Sequence, residues 1–195
     1  MRNTWIRRIS AIRKDGVESA IILTCGLNCI IGASNTGKTR IAKTVEFACG
    51  GKELPFTDKT AYEIAQVTFV TNGGEVSLSR SIHVQNTIHV KSSNPMIVPG
   101  SYSVSSRAGK SINTVLLALL GVESTRRIAT NETYHTVAFT WNAIRHLMIV
   151  PEDQIGRARP SILFPKSTSL ATLTQSLSSL LVLVQDEKID NSIQT

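Results

Sequence analysis

Apolar and polar positions alternate loosely over 4–12 (TWIRRISAI), which predicts a half-buried strand. Asp15-Gly16 is a turn signal and 19–24 (SAIILT) predicts a second strand, so the chain opens as a hairpin. Residues 27–31 (LNCII) form a short apolar run of the kind that fits a strand buried on both faces. A glycine-containing loop follows, then a helix from Lys38 to Ala48. Ile41, Ala42, Val45 and Ala48 recur at helical spacing, and Gly50-Gly51 stops it. Residues 64–70 and 75–82, joined around Asn72-Gly73-Gly74, carry a strong hairpin signal, and 86–91 extends the meander. The stretch 92–109 is rich in Ser, Pro and Gly and reads as a loop. A helix is expected over 111–120, ending at Gly121. A second is expected over 136–147, running into a short strand at 148–150 and a polar loop at 151–160. The last helix is expected over 169–184, with Leu170, Leu173, Leu177, Leu180 and Leu181 on one stripe. The end, 185–195, is polar. The expected fold class is α/β, with antiparallel strands at the front.

Composition narrows this picture. With 195 residues the chain favours one domain, with room to bury a core without disulfides or metal. Hydrophobic residues at 42% and charged residues at 18% exclude a disordered tail and a coiled coil. No apolar run reaches membrane-spanning length, and the start (MRNTWIRRIS) lacks the apolar core of a secretory signal, so a cytoplasmic protein with no membrane partner is expected. Cys25, Cys29 and Cys49 form no CxxC. Cys25 and Cys29 flank the apolar run and read as small core hydrophobes in a reducing compartment. The four histidines show no ligand spacing. Lys and Arg number 21 against 14 acids, a net charge of +7, which raises the weight of a polyanionic partner. Arg2, Arg7, Arg8, Arg13, Lys14, Arg126, Arg127, Arg157 and Arg159 are the basic residues that would meet DNA phosphates, and the alternative is plain solvated surface. No base-reading element is present, so any DNA binding is expected to be sequence-independent and salt-sensitive.

The chemistry centres on Gly32-Ala33-Ser34-Asn35-Thr36-Gly37-Lys38-Thr39, which fits the Walker A pattern G-x-x-x-x-G-K-[ST] in full. It lies between a predicted strand and an amphipathic helix, the context the pattern requires. Gly32 and Gly37 allow a tight turn and a close approach to phosphate. The loop N–H groups and the helix N-terminus attract anions. Lys38 reaches the β- and γ-phosphates, and the Thr39 hydroxyl is a hard ligand for Mg²⁺. ATP and Mg²⁺ are therefore the expected cofactors, with Arg40 adjoining the site. A second GKS at Gly109-Lys110-Ser111 has Val104 where the first glycine should stand and no strand before it, so it reads as loop and helix N-cap. Hydrolysis also needs an acid near the metal. Asp186 and Glu187 follow the apolar run LLVLV, interrupted by Gln185, and read either as a Walker B or as a helix end with solvated acids. Glu152, Asp153 and Gln154 follow the short strand, and a polar residue there could reach metal-bound water; the alternative is an ordinary polar loop.

The stretch G-L-N-C-I-I-G-A-S-N-T-G-K-T-R-I-A-K-T-V-E-F, with an N-terminal hairpin before it and a meander carrying S-L-S-R-S after it, resembles the head of SMC, RecN and RecF-type ABC ATPases. It is most similar to bacterial AAA-type ATPases with coiled coils, which share R-H-L-x-x-V-x-E-D-x-I and a helix ending near an acidic pair. The likeness covers nearly the whole chain, is specific at 26–51, and is looser at 141–165 and 177–190. It implies a P-loop NTPase fold: the N-terminal half of an ABC-type head over 1–184, with 185–195 a polar tail or the start of a coiled coil. By the same resemblance Gln154, or Glu152 in its place, belongs to the Q-loop and ligates the metal, and Asp186 and Glu187 lie where the coiled coil begins. The chain has no heptad region and no LSGG-like sequence. The resemblance therefore implies a partner, either a second head in a homodimer or a C-terminal half carrying the signature and Walker B motifs. ATP-driven head pairing on DNA is the implied activity, in repair, chromosome maintenance or defence. A non-hydrolysing nucleotide- or DNA-binding regulatory module is the alternative. A small kinase would need a lid and an acceptor-binding acid, and a GTPase an N-K-x-D-like base reader; neither is seen.

Overall fold

β1 (Trp5–Arg13) turns at Asp15-Gly16 into β2 (Glu18–Ile22). The Asp15 carboxylate accepts from Val17 N at 3.1 Å and Gly16 takes φ 81, a left-handed turn position where glycine is unstrained. The computed structural model describes residues 4–57, 60–105, 108–122, 127–129 and 136–150. The chain divides into two compact units, Arg2–Gly121 and a second that begins at Val122.

The first unit is built on a six-stranded antiparallel sheet in the order β2-β1-β3-β4-β5-β6. The further strands are β3 (Tyr62–Thr71), β4 (Gly74–Ser81), β5 (Thr87–Ser92) and β6 (Gly100–Ser103). The Asn72-Gly73 turn sets the β3–β4 register at Thr71↔Gly74 and Val67↔Leu78, as the hairpin signal predicts. Because side chains alternate across a strand, this register puts Ala65, Val67, Val76, Leu78, Ile88 and Val90 on the buried face. Against that face packs α1 (Lys38–Ala48). Ala48 joins Ile9 and Val67 in one cluster, and Phe47 joins Phe56, Ala65 and Ile82 in another. On the opposite face Thr68 and Ser77 exchange a hydroxyl hydrogen bond at 2.8 Å, while His89 and Lys91 are exposed. α2 (Ile112–Leu119) buries Ile112, Val115, Leu116, Leu117 and Leu119. Ser111 caps it, its side chain accepting from Asn113 N, which bears out the N-cap reading of the second GKS.

The second unit holds β7 (Arg127–Ala129) paired antiparallel with β8 (Thr136–Ala138), then α3 (Trp141–Met148). Among the described residues no helix is long and apolar enough to cross a membrane. The architecture is mixed α/β with an antiparallel sheet, the coarse class expected.

Several elements depart from the sequence reading. The loop expected over 92–109 contains β6, because Tyr102 turns inward and its hydroxyl donates to Val98 O at 2.6 Å. The helix expected from 136 starts at Trp141: β-branched Thr136 and Val137 pair with β7, and Thr140 is still extended. Met148 ends α3, and 149–150 are not a strand. Most consequentially, 27–31 is not a strand. It has no ladder partner among the described residues, and Leu27 is 93% and Ile31 94% exposed. Cys25 and Cys29 are exposed with it, so neither is the small core hydrophobe expected, because the run they flank is not a buried strand; Cys49 is buried. The loop 151–160, the helix 169–184 and the boundary at 184/185 lie outside the described residues.

Candidate nucleotide-binding site

The glycine-rich segment leaves the sheet after β2 and returns to it as α1. Asn28 ties its approach: the side-chain carbonyl accepts from Thr24 N at 3.0 Å, and the amide donates to Thr24 O at 2.8 Å and Gly26 O at 3.0 Å. The chain then bends through Asn35, whose φ of 62 is left-handed, and Gly37, at φ 89. Gly37 is the N-cap of α1, and Arg40 N donates to its carbonyl at 2.9 Å. A Cβ at Gly32 would stand 3.0 Å from Thr36 Oγ1, a hydroxyl that itself donates to Ala33 O at 2.8 Å. The loop thus closes on itself at the two positions where the pattern demands glycine.

Lys38 folds back over this turn. Its ammonium donates to Gly32 O at 2.8 Å and Ala33 O at 2.6 Å, and lies 3.5 Å from Thr36 Oγ1. The ammonium is therefore held against the loop by exposed carbonyl contacts, which an anion can outcompete because charge–charge pairing is the stronger interaction. The first turn of α1 carries neither a side-chain cap nor an acidic residue. The positive end of the helix and Lys38 thus share one exposed region, which also includes Ser34, Asn35 and Arg40. Thr39 follows on the first turn of α1 and is exposed. Lys38 and the uncapped N-terminus of α1 are the cationic and dipolar groups that an anion would meet here.

The other candidates are not brought to the loop. Glu152, Gln154, Asp186 and Glu187 lie outside the described residues. So do Arg2, Arg126, Arg157 and Arg159 among the basic residues. Of the rest, Arg7 pairs with Glu75, Arg8 with Glu18 at 2.6 Å and Arg13 with Asp15 at 3.2 Å. These three arginines are thus partly neutralised, which lowers their weight as a DNA surface. The Arg8 guanidinium holds the Glu18 carboxyl below its ordinary range. Among the described residues no group of three or more His, Cys, Asp or Glu side chains could hold a metal.

One residue was missed. Arg80 is 4% exposed, and burial pushes its guanidinium down to about 10. Its signal was present in the alternation Val76, Leu78, Arg80, Ile82, which puts a cation on the buried face of β4. In comparisons with known proteins, no family model and no curated protein matches the chain.

Proposed function

We propose that the chain binds ATP with Mg²⁺ through Gly32–Thr39. We further propose that it does so as the N-terminal half of an SMC/RecN/RecF-like ATPase head with a P-loop NTPase fold. The observation that carries this reading is the Lys38 ammonium folded over the Gly32 and Ala33 carbonyls, in front of a helix whose N-terminus has no side-chain cap. On binding, Lys38 exchanges those carbonyls for phosphate oxygens, Gly32 and Gly37 keep side chains out of the phosphate path, and Thr39 provides a hydroxyl ligand. Mg²⁺ supplies charge neutralisation at the β- and γ-phosphates.

The bared apolar run 27–31 supports the two-part head. A strand-prone segment with no ladder partner among the described residues and with exposed Leu27 and Ile31 suits pairing with a strand from a second polypeptide segment. That segment is either a C-terminal half carrying the signature and Walker B motifs or part of a second head. ATP-driven pairing of heads would then act on DNA, and this chain alone would hydrolyse ATP barely or not at all. Isothermal titration with MgATP tests the site. Losing the charged Lys38 contacts in Lys38→Ala removes about 1.5–3 kcal/mol, roughly a 10- to 150-fold loss of affinity. Equal affinity in wild type and variant refutes the site.

A further inference from the structure

Among the described residues Arg80 is a buried cation with no carboxylate partner. Among the described residues its donor contacts are to backbone carbonyls. Nε donates to Gln85 O at 2.8 Å, and Nη2 donates to the same oxygen. Nη1 donates to Phe47 O at 2.6 Å and to Gly51 O at 2.7 Å. The guanidinium also lies 4.0 Å from the centroid of the Phe47 ring. Phe47 is the penultimate residue of α1, and Gly51 ends the turn that leaves it. The last turn of α1 has no basic residue of its own, so Arg80 supplies from β4 the positive charge that a helix C-terminus favours.

We propose that Arg80 is a positioning residue for the nucleotide loop. It clamps the C-terminal end of α1 to the sheet and so fixes the direction in which the other end presents Lys38 and Thr39. This rests on the ATP-binding reading above. The lever is short and stiff. α1 has 11 residues and so is about 16 Å long. A tilt of about 5° at the clamped end moves Lys38 by about 1.4 Å over that length. Sites of this kind need their groups held within about 0.5 Å, so a displacement that large separates the ammonium from phosphate. The planar fork is what allows one side chain to grip carbonyls of both α1 and the 82–86 turn; a lysine ammonium carries the charge without the fork.

The test uses Arg80→Met and Arg80→Lys, with far-UV circular dichroism and thermal midpoints recorded without nucleotide. MgATP affinity is then measured at least about 20 °C below each midpoint, where the unfolded fraction is negligible. The expected result is a loss of about tenfold or more in Arg80→Met, one decade being about 1.4 kcal/mol. Partial recovery is expected in Arg80→Lys. Wild-type affinity in folded Arg80→Met overturns the positioning role, and so does failure of both variants to fold, which would assign Arg80 to the fold alone. Absence of MgATP binding by wild type overturns the nucleotide reading itself, before Arg80 is reached.

Discussion

Replacing Ile31 with Ser separates what the structure says of 27–31 from what its hydrophobic pattern says. A strand buried on both faces would make Ile31 a core residue, and truncating such a side chain costs about 2–5 kcal/mol. In the structure Ile31 is 94% exposed, so 6% of its surface is covered. Complete burial of an isoleucine is worth about 1.5–3 kcal/mol, and that covered fraction amounts to about 0.1–0.2 kcal/mol. Leu78→Ala is the matched control: Leu78 is 0% exposed in the centre of the sheet, and its truncation should cost about 2–5 kcal/mol. Urea unfolding reads both. At a slope of about 2 kcal/mol per molar, Leu78→Ala moves the midpoint down by about 1–2.5 M and Ile31→Ser by about 0.1 M. A shift beyond about 0.5 M for Ile31→Ser, with the slope unchanged, would mean that Ile31 is packed in the folded state and would refute the reasoning.

Native protein should expose two of its three thiols to an aromatic disulfide reagent, Cys25 and Cys29, with Cys49 reacting only in denaturant. Burial pushes the Cys49 thiol up to about 12 from 9.0, so the folded state keeps a proton that the unfolded state releases. The stability this contributes is present below about pH 9 and falls as pH rises towards 12; Cys49→Ala should lack that share of the alkaline loss. Native counts of zero or three would contradict the burial pattern. Ser111→Ala should destabilise by about 1 kcal/mol through loss of the α2 cap, and Ser111→Asp should restore most of it. An unchanged thermal midpoint in Ser111→Ala would show that the Asn113 bond contributes nothing.

The parts of the fold legible in sequence are those fixed by neighbours along the chain. The Asn72-Gly73 turn dictates its own hairpin register, α1 spans Lys38–Ala48 as its apolar spacing predicts, and Ser111 caps α2. Local chemistry also made the glycine-rich loop readable, because the left-handed Gly37 and the crowded Gly32 answer to backbone geometry within eight residues. What stayed hidden depends on partners distant in sequence. β8 exists because Thr136–Ala138 meets Arg127–Ala129, and nothing in 136–138 alone rules out a helix turn. The alternation along β4 places Arg80 on the buried face, but the Phe47 carbonyl that helps make its burial tolerable comes from α1, 33 residues before it, and is not visible in the local pattern.

The same distinction bears on the residues just ahead of the loop. Leu27 and Ile31 have the composition of a central strand and the exposure of a free edge. Covering both side chains would release about 3–6 kcal/mol, comparable with the whole stability of a small domain. The segment is anchored on one side by the Asn28 bonds and on the other by the turn beneath Lys38, so a strand arriving there would stiffen the approach to Gly32 directly. Under the two-part reading, nucleotide affinity and partner docking therefore share one structural element. On that reading a partner covering Leu27 and Ile31 would tighten the loop, and by reciprocity bound nucleotide would strengthen docking by the same factor.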